Sequence, residues 1–165
     1  MFKRIYVPLD GSALAERALP YAEELAGLLG TSIHIVRVVD VAAFERYTAY
    51  GFAPIASEEL IVDEEAQCEA YLGEIQREMT SRGYHVSTEK RRGTVVAELA
   101  AATAPGDLVV MASHGRGGLT RVFLGSVAED MMRRSAAPVL LVRTDHAAPL
   151  HYPVHREARP VLAAS

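Results

Sequence analysis

The chain has 165 residues, half of them hydrophobic, and a formal net charge of −4 at pH 7. This length and composition suit one compact domain with its own hydrophobic core. The slightly acidic balance argues against a general nucleic-acid binder or an anionic-membrane binder, because both normally present a basic surface. A local basic patch is still compatible with this balance.

Cysteine usage and the N-terminal residues bear on the cellular compartment. Cys68 is the single cysteine, so no intrachain disulfide can form, a pattern typical of a reducing compartment. Cys68 falls within a helical pattern, where we expect a small core residue. No apolar run reaches the ~18 residues of a membrane span. The N-terminal stretch MFKRIYVPLDGS lacks the long apolar region of a signal peptide, so we expect a cytoplasmic protein.

The first third of the chain predicts a strand, a helix and a second strand. Residues 5–9 form a short apolar run that is closed by Asp10, Gly11 and Ser12, with Ser12 as an N-cap. Pro20 should kink the following helix or leave its first part frayed, and Gly30 should end it. The second strand covers residues 32–39. The helix is indicated by apolar residues at steps of three and four, namely Leu14, Ala18, Tyr21, Leu25 and Leu28.

The remainder of the chain continues the alternation of helices and strands. An irregular connection is expected over residues 41–57, and connections of this length are commonly functional. The predicted helices cover residues 58–82, 95–104 and 126–134. The predicted strands cover residues 84–90, 108–112 and 139–142, and the last two are apolar throughout, as in buried parallel strands.

Strands that alternate with helices predict a parallel sheet covered by helices on both faces. Right-handed crossovers then give a single-domain, doubly wound, open five-stranded sheet. We expect its strand order to be 3-2-1-4-5. Ligands of such sheets bind beyond the carboxyl ends of the strands, where the order reverses. Two loops should meet there, the turn at residues 10–12 and the glycine-bearing loop that begins at Ala112.

The glycine-bearing loop is the main indication of function. It carries Gly115, Gly117 and Gly118, and Gly125-Ser126 immediately precedes a helix. Backbone amides in such a loop and at a helix N-terminus lack internal partners and form a site for anions, above all phosphate. The common phosphate-binding motifs GxxxxGK[ST] and GxGxxG are absent, however. The GxSxG motif of a nucleophilic serine is also absent.

The sequence resembles the universal stress protein family over residues 3–143. The resemblance is carried by IYVPLDGS with the following LAERALPYAEELA, and by MASHGRGGLTRVFLGSVAEDMMRRSAAPVLLVR. The ATP-binding branch of that family has Gly, two residues, Gly, nine residues and then Gly-Ser or Gly-Thr. Here Gly115 is followed by nine residues and Gly125-Ser126, whereas Ala112 replaces the first glycine. The resemblance implies a nucleotide-binding α/β domain over residues 1–143, followed by a tail with prolines and histidines over residues 144–165.

The resemblance also implies the roles of individual residues in binding ATP. Asp10 would accept hydrogen bonds from the ribose hydroxyls, and Ala112 would lie where the backbone approaches the nucleotide closely. The phosphates would be held by amides of the loop and helix, with added positive potential from Arg116 and a divalent cation such as Mg²⁺. The implied adenine wall comprises Pro8, Leu9, Val38 and Met111. The implied phosphate-binding residues are Gly115, Gly125, Ser126 and Val127.

Three functions follow from these observations. The first is an ATP-dependent sensor or switch that acts as a homodimer, with residues 139–142 pairing at the sheet edge as the resemblance implies. The second is an interaction module that has lost ATP binding, for which Ala112 is the main support. The third is a nucleotide hydrolase, which is disfavoured because the signatures of related nucleotide-hydrolysing and adenylating enzymes are absent. Any hydrolysis should be slow, because no positioned general base is apparent. Asp10 and Ser126 also have a plain structural interpretation, since Asp favours turns and Ser favours helix caps.

Overall fold

A computed structural model describes residues 1–42, 57–113 and 125–143. Residues 43–56 of the connection predicted over residues 41–57 lie outside the described residues, as does the tail over residues 144–165. So do two predicted phosphate-site residues, Gly115 and Arg116.

The core of the fold is a five-stranded parallel sheet with the order β3-β2-β1-β4-β5. The predicted fold class and strand order are therefore confirmed. Strand β1 lies at the centre of the sheet and pairs with β2 on one side and β4 on the other. The strand order reverses between β1 and β4. The strands are β1 (Arg4–Pro8), β2 (Ser32–Asp40), β3 (Val86–Gly93), β4 (Asp107–Ser113) and β5 (Val139–Arg143).

Helices cover both faces of the sheet. Successive residues of a strand point to opposite faces. Ile5 therefore joins a core cluster with α1 and α2, while Tyr6 joins a second cluster with α3 and α4. Cys68 is buried in the first cluster, as predicted from its helical pattern. The helices are a 3-10 turn (Ala15–Ala18), α1 (Leu19–Leu29), α2 (Ser57–Ser81), α3 (Val95–Ala102) and α4 (Ser126–Arg134).

The first helical region shows how Pro20 acts. The chain forms a 3-10 turn and only then an α-helix, with Pro20 in the first turn of α1, which confirms the frayed first part. Gly30 ends α1 in the left-handed conformation with φ 62°. The prediction for Leu28 is wrong, because this side chain is 76% exposed. The buried face of α1 is centred on Ala22 and Ala26. Tyr21 and Leu25 pack at its margin, so Leu28 lies beyond that face.

Two predicted boundaries differ for local reasons. The third strand runs on to Gly93, because it pairs with β2 as far as Asp40. The following helix ends at Ala102 rather than residue 104, since Thr103 is extended and its hydroxyl donates to the carbonyl of Ala100. The expectation of a fully buried last strand is also wrong: within the described residues β5 pairs with β4 alone, and Leu140 is 39% exposed.

Candidate functional site

A cleft of about 270 Å³ opens at the carboxyl ends of the central strands, where the strand order reverses. Strand β1 ends in Pro8 and Leu9, and β4 supplies Met111 and Ala112. The helical wall comes from α3 and α4. Clefts at this position are the usual binding sites of doubly wound sheets. The lining residues are Pro8, Leu9, Asp10, Ser12, Leu14, Ala15, Val38, Val95, Leu99, Met111, Ala112, Gly125, Ser126, Val127 and Ala128.

The structure brings the predicted site residues together in this cleft. All nine that fall within the described residues line it, and they come from four separate parts of the chain. Gly115 and Arg116 lie outside the described residues. The shared location makes a common ligand sterically reasonable, while the individual roles of these residues remain predictions.

The turn after β1 is held by its own side chains. Asp10 Oδ1 accepts a hydrogen bond from the Ser12 amide at 2.8 Å, and Ser12 Oγ accepts one from the Ala15 amide at 3.1 Å. Gly11 lies between them with φ 86°. Asp10 is exposed, and a carboxylate can accept about four hydrogen bonds. Its position beside the cleft therefore suits it to accept hydroxyl donors from a ligand.

A second polar element is the N-terminus of α4. Gly125 is the N-cap residue with φ 80°, and it provides no side-chain cap. Ser126 is the first helical residue and is exposed. The first-turn amides of a helix have no intrahelical partners, and the helix dipole adds a partial positive charge there. This edge of the cleft is thus suited to an anionic group.

Apolar side chains form the other walls. Leu9 and Met111, at the ends of β1 and β4, are nearly fully buried. Leu99 of α3 also lines the cleft, from the helix layer that covers the sheet. The sequence interpretation did not include Leu99, Val95 or Leu14 in the site. Leu99 and Val95 lie on the sheet-facing side of α3, so the available signal was the apolar pattern of that helix. Only tertiary packing brings them to the cleft.

An arginine of β2 lies beside Gly11 of the turn after β1. Arg37 Nη2 donates to Glu64 Oε1 of α2 at 2.6 Å, and its guanidinium carbon lies 5.2 Å from the ring centre of Tyr71. The Tyr71 hydroxyl donates to Glu16 Oε1 at 2.9 Å. Burial, and then this contact with Glu16, raises the pKa of Tyr71, which therefore remains a neutral donor. These contacts link the turn region to α2.

Comparison with known proteins identifies the family. The model of the universal stress protein family matches residues 1–143. The chain belongs to the universal stress protein family. Universal stress protein MJ0531 of Methanocaldococcus jannaschii is 33% identical over 145 residues, which cover 87% of this chain and 83% of the relative.

Solved structures of the family share the fold. The structure of MJ0577, described as a structure-based assignment of the biochemical function of a hypothetical protein, has a TM-score of 0.71 and 25% identity. The matched region covers 89% of this chain and 99% of the MJ0577 chain. A universal stress protein in complex with cAMP has a TM-score of 0.61 and 21% identity, covering 86% and 97%. That likeness concerns the fold alone.

In the described parts of the chain, no group of three or more His, Cys, Asp or Glu side chains is arranged to hold a metal ion. The helices described here include none that is long and apolar enough to cross a membrane.

Proposed function

We propose that this universal stress protein binds an adenine nucleotide, ATP, in the strand-end cleft and acts as a ligand-dependent sensor. The observation that carries this proposal is the meeting of the Asp10 turn with the N-terminus of α4 across one cleft with apolar walls. A nucleotide needs these three environments together: an apolar slot for the base, a carboxylate for the ribose and amide donors for the phosphates.

The apolar part of the cleft would take the adenine. Leu9 and Met111 offer buried aliphatic surface to the faces of the ring, and Pro8 extends the same wall. Val38 lies near the end of β2, where its backbone would meet the polar edge of the base. Asp10 would then receive the ribose hydroxyls, because it lies at the mouth of this slot and is exposed.

The polar part of the cleft would take the phosphates. Gly125, Ser126 and Val127 present first-turn amides, and the Ser126 hydroxyl is an additional donor. Gly115 and Arg116 lie outside the described residues; we propose that the Gly115 amide also binds the phosphates and that Arg116 adds positive potential. We further propose that a divalent cation such as Mg²⁺ enters with the phosphates, since ATP carries the charge that attracts it. A universal stress protein of the same fold has been solved in complex with cAMP, an adenine nucleotide, which supports the proposal of this class of ligand.

The sensor role follows from linkage. A bound ligand shifts a conformation only by the difference in its affinity for the two states. ATP that bridges the Asp10 turn and α4 would favour the conformation that binds it more tightly, and so alter what the protein presents to partners. We propose a cytoplasmic homodimer that pairs through β5, with Leu140 exposed at the sheet edge, and ATP hydrolysis that is slow or absent.

One observation favours a different function. Ala112 lines the cleft with a methyl group at the position where the resemblance predicts glycine. If that methyl blocks the nucleotide backbone, the protein would act as an interaction module that presents its surface without a nucleotide. The two functions predict opposite results in a direct binding measurement.

The test is isothermal titration of the full chain with ATP and Mg²⁺. The sensor proposal predicts binding that weakens by at least tenfold, about 1.4 kcal/mol, in Asp10→Ala and in Gly125→Val. Asp130→Ala is the matched control, because Asp130 is an exposed carboxylate of α4 outside the cleft lining. Circular dichroism confirms that each variant is folded. Absence of binding by the folded wild type at millimolar ATP would reject the sensor and favour the interaction module.

A further inference from the structure

A serine, a histidine and a glutamate form a hydrogen-bonded row on β2 and β3, away from the cleft. His34 Nδ1 lies 2.8 Å from Ser87 Oγ, and His34 Nε2 lies 3.0 Å from Glu89 Oε2. The parallel pairing of His34 with Ser87 produces this arrangement, because Ser87 and Glu89 are two residues apart and so lie on the same face of β3. His34 is four residues from Val38 on β2, about 13 Å along the strand.

Glu89 determines which ring nitrogen of a neutral His34 carries the proton. Desolvation raises the pKa of this carboxyl, but hydrogen bonds from His34 and Arg91 outweigh it, and the net pKa is lowered. Arg91 Nη1 donates to the other oxygen of Glu89 at 2.6 Å. An ionised carboxylate only accepts, so Nε2 of a neutral His34 carries the proton. Nδ1 is then the acceptor, and the Ser87 hydroxyl donates to it.

Neighbouring side chains fix the His34 imidazole, whereas Ser87 is accessible to solvent. His34 is 9% exposed, and its ring centre lies 5.9 Å from that of Tyr6. Tyr6 is itself fixed, because its hydroxyl donates to the carbonyl of Leu99 at 3.3 Å. Ser87, in contrast, is exposed. A buried, oriented base beside an accessible hydroxyl is the arrangement that activates a serine nucleophile.

We propose that Ser87 is a reactive serine that accepts acyl groups from activated carboxylic esters or thioesters, with His34 as the general base. The Ser87 oxygen bonds to the acyl carbon while its proton moves to Nδ1 of His34. The bond from the acyl carbon to the leaving alcohol or thiol then breaks, and His34 returns the proton to that group. Glu89 is a positioning residue that keeps His34 in the required tautomer.

The test uses p-nitrophenyl acetate and the full chain, with site-resolved mass spectrometry over time. Ser81 is an internal reference, because it is an exposed serine whose hydroxyl donates to the carbonyl of Glu78 rather than contacting an imidazole. Trypsin separates the two serines into peptides 78–82 and 83–90. General-base assistance is worth roughly 10² to 10⁴ in rate, so we expect Ser87 to be acetylated at least about 10²-fold faster than Ser81.

Two variants test the mechanism. In His34→Asn, the Ser87 rate should fall to that of Ser81. In Glu89→Gln, it should fall by more than about tenfold, because the amide group can donate to Nε2 and so reverse the tautomer. Because Glu89 is half-exposed and Gln has the same shape, we expect Glu89→Gln to fold. It therefore tests the role of His34 as general base even if His34→Asn does not fold. Equal acetylation of Ser87 and Ser81 in the wild type, or an unchanged Ser87 rate in folded Glu89→Gln, would overturn the proposal.

Discussion

Gly11 lies against the guanidinium of Arg37: a methyl group at residue 11 would stand 3.1 Å from Nη1 of that arginine. Arg37 has little room to move, because it is paired with Glu64 and lies over the ring of Tyr71. Gly11 also has φ +86°, which side chains other than glycine rarely adopt. The turn that carries Asp10 therefore depends on glycine for two separate reasons.

We expect Gly11→Ala to destabilise the protein by roughly 1–2 kcal/mol, through backbone strain and the contact with Arg37. Urea unfolding measures the change in the free energy of unfolding. Gly27→Ala is the matched control. Gly27 lies within α1 and a methyl group there meets nothing within 4 Å, so this variant should gain up to about 1 kcal/mol. Equal stabilities of the two variants would contradict both the backbone strain and the contact with Arg37.

The sequence predicted this part of the molecule only in outline. The apolar run and the Asp-Gly-Ser turn indicated the first strand and its end, because these are local patterns. The contact of Gly11 with Arg37 was not predictable, since Arg37 belongs to another strand and its position depends on Glu64 of α2. The strand-end residues of the cleft were predicted because local patterns mark them. Leu99 of α3 was not predicted, because only tertiary packing brings it to the cleft.

Errors in the predicted burial have similar causes. The predicted stripe extended to Leu28, whereas the buried face of α1 is centred on Ala22 and Ala26 and Leu28 lies outside it. The composition of β5 indicated a buried strand, but burial depends on what covers each strand. The parallel sheet followed from the alternation of helices and strands, which needs no knowledge of individual contacts. Alternation alone does not choose among the strand orders of doubly wound sheets, and the expected order 3-2-1-4-5 was correct.

The ion pair of Arg4 with Asp107 fastens β1 to β4. Arg4 Nε donates to Oδ1 of Asp107 at 2.7 Å and Nη2 donates to Oδ2 at 2.9 Å. Asp107 is 2% exposed, and it also accepts the Ala104 amide. Burial raises the pKa of Asp107, but the hydrogen bonds from Arg4 and the Ala104 amide outweigh burial and lower the net pKa. The carboxylate thus contributes stability above a pH of about 4, and this stability is lost as the pH falls through the lowered pKa.

Arg4→Leu should cost about 3 kcal/mol at pH 7, because it leaves a buried carboxylate without its cation. Burial then raises the pKa of Asp107, so protonation relieves the variant in acid while it weakens the wild type. We expect the stability difference to be largest at neutral pH and to shrink below a pH of about 4. Urea unfolding from pH 7 to pH 3 measures this difference.

Arg133→Leu is the control for the ion pair. Its partner Glu129 is four residues away on α4 and both side chains are largely exposed, so the loss should stay below about 0.5 kcal/mol. A difference between wild type and Arg4→Leu that does not depend on pH would show that the loss comes from packing of the arginine side chain and not from the buried charge.

The proposed homodimer predicts a specific effect at the sheet edge. Leu140 is exposed on β5, and a charge on an edge strand opposes edge-to-edge association. We expect the wild type to sediment as a dimer and Leu140→Glu to sediment as a monomer in analytical ultracentrifugation. Leu28→Glu is the matched control, because Leu28 is more exposed and lies on α1, and it should remain a dimer. A monomeric wild type would reject the β5 dimer.

The methyl group of Ala112 distinguishes the sensor from the interaction module most directly. Ala112 lines the cleft and is half-buried on β4, where it pairs with Val142 of β5. We expect Ala112→Gly to bind ATP with higher affinity, because removing the methyl group widens the cleft where the nucleotide would approach the backbone. A gain of three- to tenfold corresponds to about 0.6–1.4 kcal/mol. Titration calorimetry with ATP and Mg²⁺ measures it.

Stability must be followed in the same variant, since glycine within a strand costs roughly 0.5–1 kcal/mol. Ala100→Gly is a suitable control, because Ala100 is half-buried on α3 and lies outside the cleft lining. This control should lose a similar amount of stability without any gain in ATP affinity. If Ala112→Gly binds ATP only as well as the wild type, the methyl group does not limit the cleft. If binding appears only in Ala112→Gly, the natural protein functions without the nucleotide, and Ala112 is the residue that closes its site.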